Sequence, residues 1–188
     1  MGHKEDLLAG AKKCLREKGY ANTTARDIVA ASGTNLASIG YHFGSKDALM
    51  TQAIVEMLSD WGDQFGDESA GSIADYGKRF ETHWRDLAAA VARDRQLSLA
   101  SFENASTSMR IPELSAIIAE GQEEARVGMG DDFAAPDADA ATKRAVGSLM
   151  LAVTTGVIAQ WLVDPKRSPS PDDIVKAFQA IGEAFARK

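Results

Sequence analysis

Apolar residues recur along this chain at helical spacing almost from end to end. Leu7, Leu8, Ala11, Cys14 and Leu15 fall at i, i+1, i+4, i+7 and i+8, one face of a helix over residues 4–18 that Gly19 stops. A second helix starts at Thr24, where Thr24-x-x-Asp27 has the form of a capping box with aspartate in place of glutamate. It carries Ile28, Val29 and Ala31 and ends at Ser32-Gly33. A short third helix over residues 36–43 takes Asn35 as its cap and Gly44 as its stop. Ser45 caps a fourth helix, with Asp47 near its positive end and Leu49, Ala53, Met57 and Trp61 along one stripe.

Residues 62–71 are rich in breakers and are expected to form a join. Ile73, Phe80, Trp84, Leu87 and Val91 mark a fifth helix, and less regular helical segments cover residues 95–106 and 112–127. Residues 128–141, with two glycines and Pro136, are expected to be a loop, followed by a long helix over 141–163. The last helix opens with Ser170-Pro171-Asp172-Asp173, a capping serine, a proline at the first helical position and acids in the first turn. Strand-like alternation and internal repeats are absent. The pattern predicts an all-α fold: a three-helix N-terminal domain over residues 1–48, joined through the fourth helix to a helical bundle over residues 49–188.

Composition changes this picture little. The 188 residues are 45% hydrophobic and 26% charged, enough for a real core. A single cysteine, Cys14, cannot form an internal disulfide, and no apolar signal core follows the polar first residues, so a cytoplasmic protein is expected. The net charge of −6 argues against a nucleic-acid partner until its distribution is considered. Residues 1–48 carry seven bases and five acids, whereas the remainder carries fourteen bases and twenty-two acids. A mildly basic head on an acidic body suits a modular DNA binder. The uncharged run Ala145–Val163 is long enough to raise a membrane span, but Ser148, Thr154, Thr155 and Gln160 interrupt it and burial among other helices is expected.

The second and third helices, joined by a tight turn at Gly33, have the form of a helix-turn-helix. Ile28 and Ile39 are placed to pack across the turn, and Phe43 to hold the third helix on the first. The runs Thr24-Ala-Arg26-Asp27-Ile28-Val-Ala-Ala-Ser-Gly33 and Ser38-Ile39-Gly40-Tyr41-His42-Phe43-Gly44-Ser45-Lys46-Asp47-Ala48-Leu49 closely resemble the signature of TetR-type (TetR/AcrR) transcriptional regulators. Val29 departs from it, in a slot where alanine is common. The resemblance covers roughly residues 5–50. It implies a homodimer on palindromic operator DNA, a small-molecule pocket in the C-terminal part, and dimerisation through the last two helices. It also implies phosphate contacts at Thr24, Tyr41, His42 and Lys46.

Helix geometry adds to these expectations. At 100° per residue, Leu36, Ile39 and Phe43 should point inward and Gly40 toward the inner edge, leaving Ala37, Ser38 and Tyr41 outward with His42 on the flank. His42 suits a solvated surface position as well as a DNA contact. Thr34 and Asn35 sit at the end that enters the groove first. Lys46 and the first N–H groups of the fourth helix form a natural phosphate site. The third helix offers no Arg, Lys or Gln outward, so Arg26 becomes the candidate reader of guanine, in competition with an ion pair to a neighbouring acid.

For an effector pocket between the fourth and eighth helices, which the resemblance implies, the candidate lining residues are Trp61, Phe80, Trp84, Phe102, Asn104, Met109, Gln122, Met150 and Thr154. For the dimer, Ser148, Ala152 and Gly156 recur every four residues in the eighth helix with Ala159 beside them. Ile174, Phe178, Ile181 and Phe185 follow in the ninth, and two copies of this pair make a four-helix interface. The small-residue stripe also suits packing inside one subunit.

No catalytic residues, metal site or cofactor are expected. The three histidines, His3, His42 and His83, lack ligand spacing, no phosphate-binding glycine loop or nucleophile elbow is present, and Cys14 has no partner base. The competing functions are a helical small-molecule-binding or adaptor protein without DNA binding, and an all-α enzyme.

Overall fold

A computed structural model describes residues 2–66 and 76–187, without the side chains of residues 61–66 and 107. Among them are nine helices and no strand, as the spacing predicts. They are α1 (His3–Lys18), α2 (Ala25–Ser32), α3 (Leu36–Phe43), α4 (Lys46–Gly66), α5 (Tyr76–Arg93), α6 (Arg95–Ser108), α7 (Pro112–Phe133), α8 (Ala140–Val163) and α9 (Pro171–Ala186). The expected contributions of Trp61 and Ile73 lie outside the described side chains.

Two of the expected breaks are helical. α4 continues through Gly62 to Gly66, because one interior glycine costs a helix only about 1 kcal/mol and no proline follows. α7 runs on to Phe133, so the loop expected over 128–141 shrinks to residues 134–139. Gly130 is a crossing residue rather than a breaker. A Cβ there would lie 2.5 Å from the carbonyl oxygen of Lys143, and one at Gly147 would collide with the backbone of Arg126 and Gly130.

The chain divides into two compact units, one of residues 1–62 and 94–124 and the other of residues 63–93 and 125–188. The first centres on α1, whose Leu7, Ala11, Cys14 and Leu15 are buried with Ile28, Ile39, Leu49, Met50 and Ile54. Each fully buried aliphatic chain of this kind contributes roughly 1.5–3 kcal/mol. Gly10 lets α2 lie directly on α1: a Cβ there would come within 2.8 Å of the Ser32 Cβ and 3.0 Å of the Ile28 carbonyl oxygen. α6 belongs to the same unit. The Arg16 guanidinium pairs with Asp94 at 3.7 Å, and the Ala21 N–H donates to the Glu103 carboxylate at 3.3 Å. In the interior, the Thr51 hydroxyl of α4 donates to Oδ1 of the buried Asn104 at 2.9 Å, and Ser108 donates to the same oxygen at 3.0 Å.

The second unit is built on α5. Phe80, Trp84, Leu87, Ala90 and Val91 are buried at spacings that keep them on one face. Phe80 meets Phe133 and Phe178 edge-on, with ring centroids 5.7 and 5.0 Å apart. α9 thus packs on α5 through Phe178, and its Ile174 is buried. α8 buries Gly147, Met150, Thr154 and Val157 and leaves Ala145, Ser148, Leu149, Ala152 and Gly156 exposed. The burial expected for its uncharged run therefore covers one face only. α8 is also the one helix among the described residues long and apolar enough to span a membrane.

Candidate nucleic-acid interface

Local hydrogen bonds set the frame of the helix-turn-helix. The Thr24 hydroxyl accepts the Asp27 N–H at 3.2 Å while the Asp27 carboxylate accepts the Thr24 N–H at 2.8 Å, the reciprocal box that the sequence predicts. The Lys18 ammonium completes the site on Asp27. Bonds from Lys18 and Thr24 hold the Asp27 carboxyl well below the usual carboxylate range. Gly33 ends α2 with φ 67° and ψ 19°, a left-handed turn that a side chain would strain, and its N–H returns to the Val29 carbonyl. Asn35 then caps α3, its side-chain oxygen accepting the Ser38 N–H at 3.1 Å.

The outward surface differs from the expected one in three respects. Leu36 does not point inward but is 52% exposed, because the first position of the helix has no preceding turn to cover it. Gly40 is likewise exposed, with open space where a Cβ would lie, so it serves no internal close contact. Thr34 is half-buried and its hydroxyl is bonded to that of Ser32 at 2.7 Å, which withdraws it from the groove end. Ile39 is buried and Phe43 half-buried as expected, with the Lys4 ammonium over the Phe43 ring at 5.9 Å.

The remaining DNA candidates are distributed unevenly. Arg26, Asn35, Ala37 and Tyr41 are exposed, Tyr41 to 86%, whereas Ser38 and His42 are half-buried. The Tyr41 and His42 rings meet edge-on at 4.8 Å. Asp27 is taken by Lys18 and Thr24, so the competing ion pair for Arg26 does not form with that neighbour. Thr24 is exposed, but its hydroxyl donates to Asp27 at 2.6 Å. Lys46 is half-buried: its ammonium donates to the Thr23 carbonyl at 3.3 Å, pairs with Asp47 at 3.2 Å and lies 5.5 Å from the Tyr20 ring centroid. The Tyr20 hydroxyl donates to Asp47 at 3.3 Å, and burial followed by that carboxylate pushes its pKa up. Sequence reasoning missed this Tyr20–Thr23–Lys46–Asp47 cluster, whose members lie up to 27 residues apart.

Residues 7–53 match the family model described as bacterial regulatory proteins, tetR family. The N-terminal domain is of the TetR family. Over 46 residues the chain is 37% identical to the HTH-type transcriptional repressor AcnR of Corynebacterium efficiens, a match covering 24% of each chain. The match thus spans about a quarter of the length of that relative. Among solved structures, a TetR transcription regulator from Haloarcula marismortui superposes with a TM-score of 0.65 at 20% identity, covering 96% of this chain and 95% of that one. The multidrug binding protein EbrR complexed with proflavin superposes with a TM-score of 0.68 at 21% identity, covering 95% and 99%. The likeness in fold therefore extends well beyond the residues that match in sequence.

The expected pocket residues divide between the units. Phe102, half-buried, and the exposed Met109 and Gln122 belong to the first unit, as does Asn104. The buried Asn104 accepts bonds from Thr51 and Ser108 at its side-chain oxygen, which ties α4 to α6. Phe80, Trp84, Met150 and Thr154 are all buried in the second unit. There the Trp84 Nε1 and the Thr154 hydroxyl are buried without a hydrogen-bond partner among the described residues. His83 lies edge-on to Trp84 and Phe133 at 5.4 and 4.9 Å, and burial lowers its pKa to about 4.

The expected interface residues divide as well. Ser148, Ala152 and Gly156 are exposed, Ala159 is half-buried, and Ile181 and Phe185 are exposed to 54% and 84%. Ile174 is buried within the single chain, and Phe178 is half-buried with its ring against Phe80 of α5.

Proposed function

We propose that this protein is a ligand-responsive transcriptional regulator, a repressor that binds palindromic operator DNA as a cytoplasmic homodimer and is released by a small-molecule effector. Residues 1–48 bind DNA, and residues 49–188 bind the effector and the second copy. The observation that carries this reading is the exposed outer face of α3, presented by a capped turn inside the region of family similarity. A second helix exposed in this way enters the major groove while its neighbours hold the phosphates.

The dimer is supported by an apolar face that the single chain leaves open: Ser148, Leu149, Ala152 and Gly156 on α8 with Ile181 and Phe185 on α9. The effector site is supported by the aromatic interior of the second unit and by two buried donors, on Trp84 and Thr154, that have no partner among the described residues. An interior of this kind accepts a largely apolar molecule carrying an acceptor. The relative named as a repressor supports the direction of regulation.

Selection from random duplex DNA with the full chain tests the reading. A twofold-symmetric site is expected, with affinity that falls steeply as salt rises and is lost on adding an effector found by screening. A chain that selects no DNA at low salt is instead an adaptor or small-molecule carrier.

A further inference from the structure

We propose that α3 reads thymine methyl groups in the major groove, with Leu36 as the principal contact; this rests on the DNA-binding reading above. Leu36, Ala37, Gly40 and Tyr41 fall at i, i+1, i+4 and i+5, form one face, and are all exposed. Three of the four have no polar side-chain atom. Guanine is read by Arg or Lys and adenine by a two-point contact from Asn or Gln. α3 presents no such residue on this face. Asn35 stands at its start, but its side-chain oxygen is committed to the Ser38 N–H, which leaves it one arm where adenine needs two. The thymine C5-methyl is the base-edge group that apolar side chains recognise.

The local shape supports the same ligand. Leu36 keeps more than half its surface in water, and seating it on a methyl group removes apolar area on both partners. Open space around Gly40 lets the backbone of α3 approach the base edges where a side chain would hold it away. The longer Tyr41 extends past this floor toward the groove wall, a position suited to a phosphate rather than a base.

The test uses the site selected by the full chain, rebuilt with each thymine replaced in turn by deoxyuridine, which removes the methyl and nothing else. Anisotropy at fixed salt should find at least one thymine per half-site whose replacement weakens binding about fourfold, the worth of one buried methyl. Leu36→Ala should bind the methylated and unmethylated sites alike at that position, and Leu36→Gln should shift its preference toward adenine. Circular dichroism melting checks that both variants remain folded. Sequence-specific binding indifferent to every methyl overturns this proposal and leaves the DNA-binding reading standing. Failure of the wild-type chain to select any DNA overturns both.

Discussion

The Lys46 ammonium donates to the Thr23 carbonyl oxygen at 3.3 Å, pinning the first turn of α4 to the segment that leads into α2. The charge expected to grip a phosphate is thus already oriented by the protein, with Asp47 beside it. Lys46→Ala should weaken binding to all sequences alike and lower the slope of log K against log salt by about 0.9. Titrations at several salt concentrations measure this. An unchanged slope with a lower melting temperature would make Lys46 a brace alone.

Arg26 is exposed at the start of α2, and Lys18 and Thr24 occupy the neighbouring Asp27. Arg26→Ala should relax base preference at one symmetric position per half-site, at a cost of about 1–3 kcal/mol in discrimination. Site selection with the variant checks it, and an unaltered consensus would remove Arg26 from base reading.

Burial of His83 makes stability depend on pH. Its folded pKa of about 4 lies below the ordinary histidine value of 6.5, so between these values the unfolded chain binds more protons. Stability is therefore fully present above about pH 6.5 and falls as pH drops toward 4, by roughly 3 kcal/mol in all. Urea unfolding at pH 7.5 and 4.5 should show this loss. His83→Gln should remove most of it, whereas an identical pH dependence in the variant would assign it to other groups.

Two glycines of α8 should respond differently to added side chains. Gly147→Ala drives a Cβ into the backbone of α7 and should cost about 1–3 kcal/mol of stability. Gly156 has open space around it, so Gly156→Leu should fold normally yet sediment as a monomer. If Gly156→Leu remains dimeric at low micromolar concentration, the two-fold interface lies elsewhere.

Much of this was legible in the sequence because it is local. The caps at Thr24, Asn35 and Ser170 each bond to a backbone N–H three residues on, so residue type and spacing suffice to place them. Gly130 and Gly147 were not legible in the same way, since a glycine at a helix crossing has the same sequence signature as one at a break. Leu36 was misjudged because a helical wheel assumes a turn on either side, and the first residue of an eight-residue helix has only one. The bond between Thr51 and Asn104 was not legible either, because it spans 53 residues, a separation that no periodicity reports.

That buried Thr51–Asn104 bond ties α4 to α6. Each oxygen also has a second partner, the Asp47 carbonyl for Thr51 at 2.7 Å and the Ser108 hydroxyl for Asn104 at 3.0 Å, so opening the tie orphans neither. A bond of this kind is worth about 0.5–1.5 kcal/mol, enough to bias the two helices toward shifting together. Because Glu103 of α6 also accepts the Ala21 N–H just after α1, and Asp94 just before α6 pairs with Arg16 of α1, a tilt of α4 that keeps these bonds carries α1 with it, as a handle carries a blade rather than as a lever turns a loose hinge.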